Sequence, residues 1–183
     1  VSSGEHVDYV LLGNKDGITA VKPKIIVDCT GDADIAAWSG APYEMSAVHQ
    51  PGSLHFTVGN VRSAGTIDEL YALTQKCGKV LEDAHEAGEI GVYAGPWIAP
   101  NGPGEVLFNA VRLPFDSTSA RETSEAEILG REDAWTMFEL WRERVSEFSE
   151  SYFVTSGATV GARESRRIIG AATLTADDVL NTR

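Results

Sequence analysis

The chain is poor in several features that would narrow its role. It holds 2 Cys in 183 residues, Cys29 and Cys77, far apart and in no CxxC pair. A disulfide framework is therefore not indicated, and a reduced compartment is expected, taken as cytoplasmic. No apolar run approaches the roughly 18 residues that cross a bilayer. Basic residues are scarce, with 15 Lys and Arg against 27 Asp and Glu and a net charge of -12. Nucleic acid and anionic membrane surfaces both call for Lys/Arg-rich faces, so neither is expected as a partner. His6, His49, His55 and His85 show no metal-ligand spacing with one another or with a Cys, and no metal site is expected. GxSxG, HExxH and P-loop motifs are missing, and the Ser, Cys and His residues carry no local nucleophile signature. No internal repeat, low-complexity linker, secretory leader or initiator Met is present. The chain opens at Val1 in mid-sequence and reads as a segment of something longer.

What is present is ordinary globular material, 43% hydrophobic and 23% charged, long enough for a sizeable core. Residues 6–12 alternate loosely as a strand, Gly13-Asn14-Lys15-Asp16-Gly17 is turn chemistry, and Ile18 to Val21 is the return strand. The apolar stretch Ile25–Val27 predicts a buried strand. It runs straight into Thr30-Gly31-Asp32, and a short helix follows from Ala33 to Trp38. Ser53 to Val61 predicts a strand with Leu54, Phe56 and Val58 on one face. Thr66 and Glu69 form a capping box for a helix with Ile67, Leu70, Leu73, Cys77, Val80/Leu81 and Ala84 in a stripe, ending at Gly88. Residues 91–104, rich in Gly and Pro, predict a loop, and Glu105 to Leu113 a strand. Ser124 and Glu127 form a second capping box, for a helix that turns Ile128, Trp135, Phe138, Trp141 and Val145 inward. Tyr152 to Ala158 predicts a strand, and Thr175 starts a last helix.

Two stretches could carry chemistry. In Thr30-Gly31-Asp32, Gly31 has no Cβ to hold a ligand off the backbone, and Asp32 can accept hydrogen bonds from ribose or ribityl hydroxyls. A helix N-terminus also favours nearby phosphate. The plainer alternative is that Asp32 caps the following helix. The second stretch is Gly161-Ala162-Arg163-Glu164-Ser165-Arg166-Arg167, an Arg island in an acidic chain. If extended, it puts Arg163, Ser165 and Arg167 on one face and Glu164 and Arg166 on the other. Arginine forks suit carboxylate or phosphate. The alternative is surface pairing with the acidic helix around 124–150. His55, opposite the apolar face of its strand, either points into a pocket or is a plain strand histidine. Gly102-Pro103-Gly104 begins like a dinucleotide fingerprint, but Leu107 stands where the third Gly belongs and the setting is wrong for a strand–turn–helix.

Together these segments resemble a known family. Residues 24–42, KIIVDCTGDADIAAWSGAP, are similar to the Asp-Ala-Thr-Gly-Asp-Ala-Asp segment of FAD-dependent oxidoreductases with a glutathione-reductase type of flavin domain. GARESRRIIGAATLT, from Gly161 to Thr175, resembles the Gly-x-Arg-Glu-Ser-Arg-Arg-Ile signature of the same family, in the same order and separation. Cys29 replaces the usual Ala. The resemblance implies an α/β to α+β fold class: part of an FAD-binding domain, made of the β-meander and the strand–Thr-Gly-Asp–helix, plus a sheet-and-helix substrate-side domain. It places the partial FAD-binding domain at 1–40, the substrate-side domain at 41–160 and a return segment toward the FAD domain at 161–183. It implies FAD as cofactor, with Thr30, Gly31, Asp32, Gly161, Arg163, Glu164, Ser165 and Arg166 on its side of the protein. No catalytic residue is singled out.

The family's glycine-rich loop and ribose-binding acid are expected to precede Val1. FAD binding is therefore expected of the whole protein and only weakly, or not at all, of this segment. The activity implied is hydride or electron transfer through flavin to or from a small substrate, anionic or oxygen-rich, with homo-oligomerisation left open. Two alternatives stand beside it: a non-catalytic binding or interaction module using the Arg163–Arg167 cluster, and a family member that has lost its cofactor.

Overall fold

Two-stranded antiparallel pieces, a four-stranded antiparallel sheet and single helices make up the described residues. The computed structural model describes residues 1–3 and 6–181. Its elements are β1 (Ser2–Ser3), β2 (His6–Val7), β3 (Val10–Asn14), β4 (Gly17–Val21), α1 (Asp34–Ser39), β5 (Tyr43–Glu44), β6 (His55–Gly59) and α2 (Ile67–Glu86). There follow β7 (Tyr93–Gly102), β8 (Glu105–Val111), α3 (Ala120–Arg144), β9 (Tyr152–Ser156), β10 (Arg167–Ile168) and α4 (Ala176–Leu180). Every strand pair among the described residues is antiparallel, so the mixed architecture is of the α+β kind. The chain divides into two units, His49–Glu164 and Val1–Val48 with Ser165–Arg183.

The unit His49–Glu164 is a four-stranded sheet, order β7-β8-β6-β9, with helices on one face. Alternation along β6 decides which face. Leu54, Phe56 and Val58 are fully buried, whereas His55 between them is exposed. The apolar side joins Val106, Phe108 and Ala110 of β8 to Leu70, Leu73, Cys77 and Leu81 of α2 and Ala134, Met137, Phe138 and Trp141 of α3 in one core. Aromatic rings fill its centre. Phe108 lies 4.5 Å from Trp141 and 5.4 Å from Phe56, centroid to centroid. The Trp141 indole N–H donates to the Cys77 carbonyl at 3.2 Å, which ties α3 to α2. Burial pushes the Cys77 thiol far above its ordinary pKa, so it stays protonated and inert.

Local chemistry explains the helix limits. Thr66 and Glu69 close the expected capping box on α2, and Gly88, at φ 73°, follows its end. The expected stripe is buried from Leu70 to Ala84, but Ile67 is exposed. For α3 the expectation fails by one turn: Ser119, not Ser124, caps the helix by accepting from the Glu122 amide. The inward face is then Ala126, Gly130, Ala134, Met137, Phe138 and Trp141, which leaves Ile128 and Trp135 exposed. A Cβ on Gly130 would sit 2.9 Å from Leu113 Cδ1, and the missing side chain lets α3 lie close on the sheet.

The predicted loop over 91–104 is instead the long strand β7. It is an edge strand, bonded only to β8, and an edge is where Pro96 and Pro100 can sit without breaking a two-sided ladder.

The unit Val1–Val48 with Ser165–Arg183 is built of two-stranded pieces. β3 and β4 form a tight hairpin whose turn is held by Asn14 Oδ1 accepting from the Asp16 amide at 2.9 Å. β5 pairs with β10, and α4 carries a Thr175–Asp178 capping box. The predicted strand Ile25–Val27 does not form. Its residues have no ladder partner among the described residues, and Ile25 and Val27 are 84% and 79% exposed. A strand without a neighbour leaves its amides and carbonyls unpaired, so the segment stays irregular. Among the described residues of this unit Ala33 is the one buried hydrophobic side chain, and the clustered apolar core lies in the other unit.

Truncating Trp141 should expose how much of the larger unit rests on one ring. Trp141→Ala is expected to cost about 3–5 kcal/mol. Trp141→Phe, which keeps a ring and removes the indole donor from a Cys77 carbonyl that stays in the helical ladder of α2, should cost about 1 kcal/mol. Urea titration followed by far-UV circular dichroism measures both.

Candidate functional site

The Asp28–Asp34 turn is organised from within. Asp28 Oδ1 accepts from the Thr30 amide at 3.0 Å and from the Thr30 hydroxyl at 2.7 Å, and Oδ2 accepts from the Ala36 amide at 2.9 Å. The Thr30 Oγ1 in turn accepts from the Asp34 amide at 2.9 Å. Gly31 (φ 87°) and Ala33 (φ 55°) take left-handed backbone to close the loop onto α1. The position before α1 is Ala33, which gives no side-chain cap, so the capping role considered for Asp32 falls to Thr30. These donors, the Thr30 amide first, hold the Asp28 carboxyl below the ordinary carboxylate range.

A residue far along the chain locks this turn. Arg166 Nη1 donates to the Asp32 carbonyl at 3.0 Å and to Asp34 Oδ1 at 2.7 Å. Its side chain is only 10% exposed, with the guanidinium 5.5 Å above the Tyr43 ring and its Nε buried without a hydrogen-bond partner among the described residues. Asp28, Thr30, Gly31, Asp32, Asp34 and Arg166 thus form one constellation, drawn from two segments more than 130 residues apart. Asp28 and Asp34 were not among the residues singled out from sequence. The Asx-type spacing Asp28-Cys29-Thr30 was the available signal for the first.

The arginine stretch does not act as a single patch. Arg163 and Glu164 belong to the unit His49–Glu164, and Ser165, Arg166 and Arg167 to the other. Gly161 exchanges two backbone hydrogen bonds with Ser53, at 2.8 and 3.0 Å. That places Arg163 so that Nη2 donates to Ser53 Oγ at 3.1 Å, while Glu164 Oε2 accepts from the Gln50 amide at 2.9 Å. Ser165 is buried. Arg167, in β10, pairs with Glu44 at 3.2 Å. Arg166 and Arg167 are therefore ion-paired with Asp34 and Glu44, and the acidic helix α3 matches Glu125, Glu127 and Glu139 with its own Arg121, Arg131 and Arg142.

The open face of the four-stranded sheet carries two clefts, of about 470 and 170 Å³, which share Ser53, Asn109 and Arg163. Strand register sets their floor, because Asn109 of β8 stands opposite both His55 of β6 and Trp97 of β7. His55 is an exposed strand residue that lines the larger of these clefts. Asn109, Trp97 and Arg112 of this row had drawn no attention in the sequence, since only strand pairing brings them together. Among the described residues no cluster of His, Cys, Asp or Glu could hold a metal ion, and no helix is long and apolar enough to cross a membrane.

The protein is thus an α+β chain of two units. One carries an Asp- and Arg-locked turn with glycine at its apex, and the other an arginine-lined cleft on a sheet. The family model described as FAD dependent oxidoreductase matches residues 1–183, and the chain belongs to that family. No curated protein and no solved structure matches it.

The turn suits one part of FAD and not another. A Cβ on Gly31 would meet nothing within 4 Å, so its backbone is open to approach. The carboxylates of Asp28, Asp32 and Asp34 crowd the turn. Such a rim accepts hydrogen bonds from hydroxyls and repels phosphate, so its acceptor set fits the ribityl or ribose part of the cofactor and not the pyrophosphate. The Thr30 hydroxyl, committed to Asp28 and Asp34, has little left to offer a ligand.

The turn has a pH signature. Because the folded Asp28 pKa is depressed, its stabilisation is complete above the ordinary carboxylate pKa of about 3.9 and fades as pH falls through the lower folded value. An NMR titration should put the Asp28 carboxyl midpoint below that of an unstructured peptide. Asp28→Asn should abolish this titration and speed amide exchange at Ala36 and Asp34.

Proposed function

We propose that this chain is a central part of a flavin-dependent oxidoreductase acting on a small anionic substrate. The unit Val1–Val48 with Ser165–Arg183 serves the flavin, and His49–Glu164 serves the substrate. The observation that carries this reading is the Arg166 lock. It joins the two segments whose sequences resemble the family's, within a chain the family model matches throughout.

Bound FAD would supply hydride or electron transfer through its ring system. The chain's own part is positioning. Asp28 and Arg166 fix the turn, Gly31 admits the ligand to the backbone, and the Asp32 carboxylate accepts from a flavin hydroxyl. Arg166 adds a buried positive charge that balances the acidic rim. No GxGxxG loop follows a strand within residues 1–183, so the pyrophosphate is assigned to residues outside them.

The whole protein should purify with flavin absorbance, and Arg166→Ala should lower its flavin content severalfold. Arg167→Ala, which removes the exposed pair with Glu44, should leave flavin content near normal. A colourless whole protein, or full flavin in Arg166→Ala, would overturn the reading. The segment 1–183 alone should retain little flavin on gel filtration.

A further inference from the structure

We propose that the paired clefts on the open sheet face form a binding site for a small carboxylate, seated between Arg163 and Arg112 with its apolar body against Trp97. Calling that carboxylate the substrate rests on the flavoenzyme reading above; the site itself does not.

Charge accounting within the unit points to it. Arg121, Arg131, Arg142 and Arg144 each hold a carboxylate of the protein, and Arg62 bonds the Ser146 carbonyl and Ser149 hydroxyl. Arg163 and Arg112 differ. Among the described residues Arg163 makes one hydrogen bond, to the Ser53 hydroxyl, and Arg112 makes no hydrogen bond or ion pair. Both line the smaller cleft, and no Asp or Glu lines either cleft. In a chain of net charge -12, two of the three guanidinium groups of this unit without a carboxylate, Arg112 and Arg163, thus face the same space, and the third, Arg62, is spent on Ser146 and Ser149. A guanidinium presents five N–H donors in a planar fork that matches a carboxylate, and Arg163 uses one of them.

Built geometry supports the same assignment. The Gly161–Ser53 bridge anchors the backbone two residues before Arg163, and Ser53 Oγ steers its guanidinium. Asn109, shared by both clefts, is held between His55 and Trp97 by strand register and brings an amide donor to the junction. Trp97 is 59% exposed and lines the smaller cleft, a flat wall suited to an aromatic or aliphatic body. The Arg112, Arg163 and Trp97 side chains line the smaller cleft, of about 170 Å³, which shares Ser53, Asn109 and Arg163 with the larger one of about 470 Å³.

Benzoate is a suitable probe, with benzamide as its uncharged match. Calorimetric titration of the chain should show saturable benzoate binding and none with benzamide. Arg163→Gln and Arg112→Gln should each weaken it at least about tenfold, the loss of one charge-assisted bond. Both side chains are exposed, so the variants should keep the wild-type circular dichroism. As a check that needs no variant, phenylglyoxal should modify Arg112 and Arg163 ahead of the ion-paired arginines, and benzoate should slow that modification. Absence of benzoate binding, equal binding of benzamide, or unchanged affinity in Arg163→Gln would overturn the site. None of these measurements involves flavin. A negative result would leave the flavin reading standing, and a colourless whole protein would leave the benzoate result standing.

Discussion

One-sided burial of the four-stranded sheet is the constraint from which the larger unit follows. A strand alternates its side chains, so the decision that Leu54, Phe56 and Val58 face α2 and α3 also decides that Ser53 and His55 face away. β8 obeys the same rule, sending Val106, Phe108 and Ala110 inward and Asn109 outward. A register slip of one residue would exchange the two sets and destroy core and cleft together. The aromatic centre around Trp141 and Phe108 is what makes that slip costly.

The smaller unit is organised differently. With its apolar side chains largely exposed, it depends on polar closure: Asp28 gathers three donors, and Arg166 pins the loop from a distant part of the chain. Burying a guanidinium carries a desolvation cost that the Asp34 pair, the Asp32 carbonyl and the Tyr43 ring offset only in part, since Nε has no hydrogen-bond partner among the described residues. Such an arrangement gives a specific geometry more than it gives stability. That suits a turn whose work is to present Gly31 and Asp32 to a ligand.

Local signals were readable where short-range chemistry decides the outcome. The Thr66–Glu69 box, the Asn14–Gly17 hairpin, the alternation on β6 and the Thr175 cap all appear where the residues imply. The failures share a cause. Ile25–Val27 has the composition of a buried strand, but composition cannot supply a neighbouring strand. β7 looks like a loop because Pro96 and Pro100 deny it a central place, yet an edge tolerates them. At α3 the Ser124–Glu127 pattern lies inside the helix, where the Ser124 hydroxyl donates to the Ala120 carbonyl, and the cap is Ser119 one turn earlier. Arg163 and Arg166 are three residues apart and serve different units, which no spacing rule conveys.

The residue order alone determined the Thr66 and Thr175 helix caps, the hairpin turn, the acidic balance that makes free arginines informative, and the two segments that mark the family. These depend on interactions within a few residues, or on composition. Tertiary structure decided which arginine meets Asp34, which keeps its guanidinium available beside Trp97, and that His55, Asn109 and Trp97 form one row. Those outcomes depend on strand register and long-range closure, which join groups from 12 to 132 positions apart and leave no periodic trace in the chain.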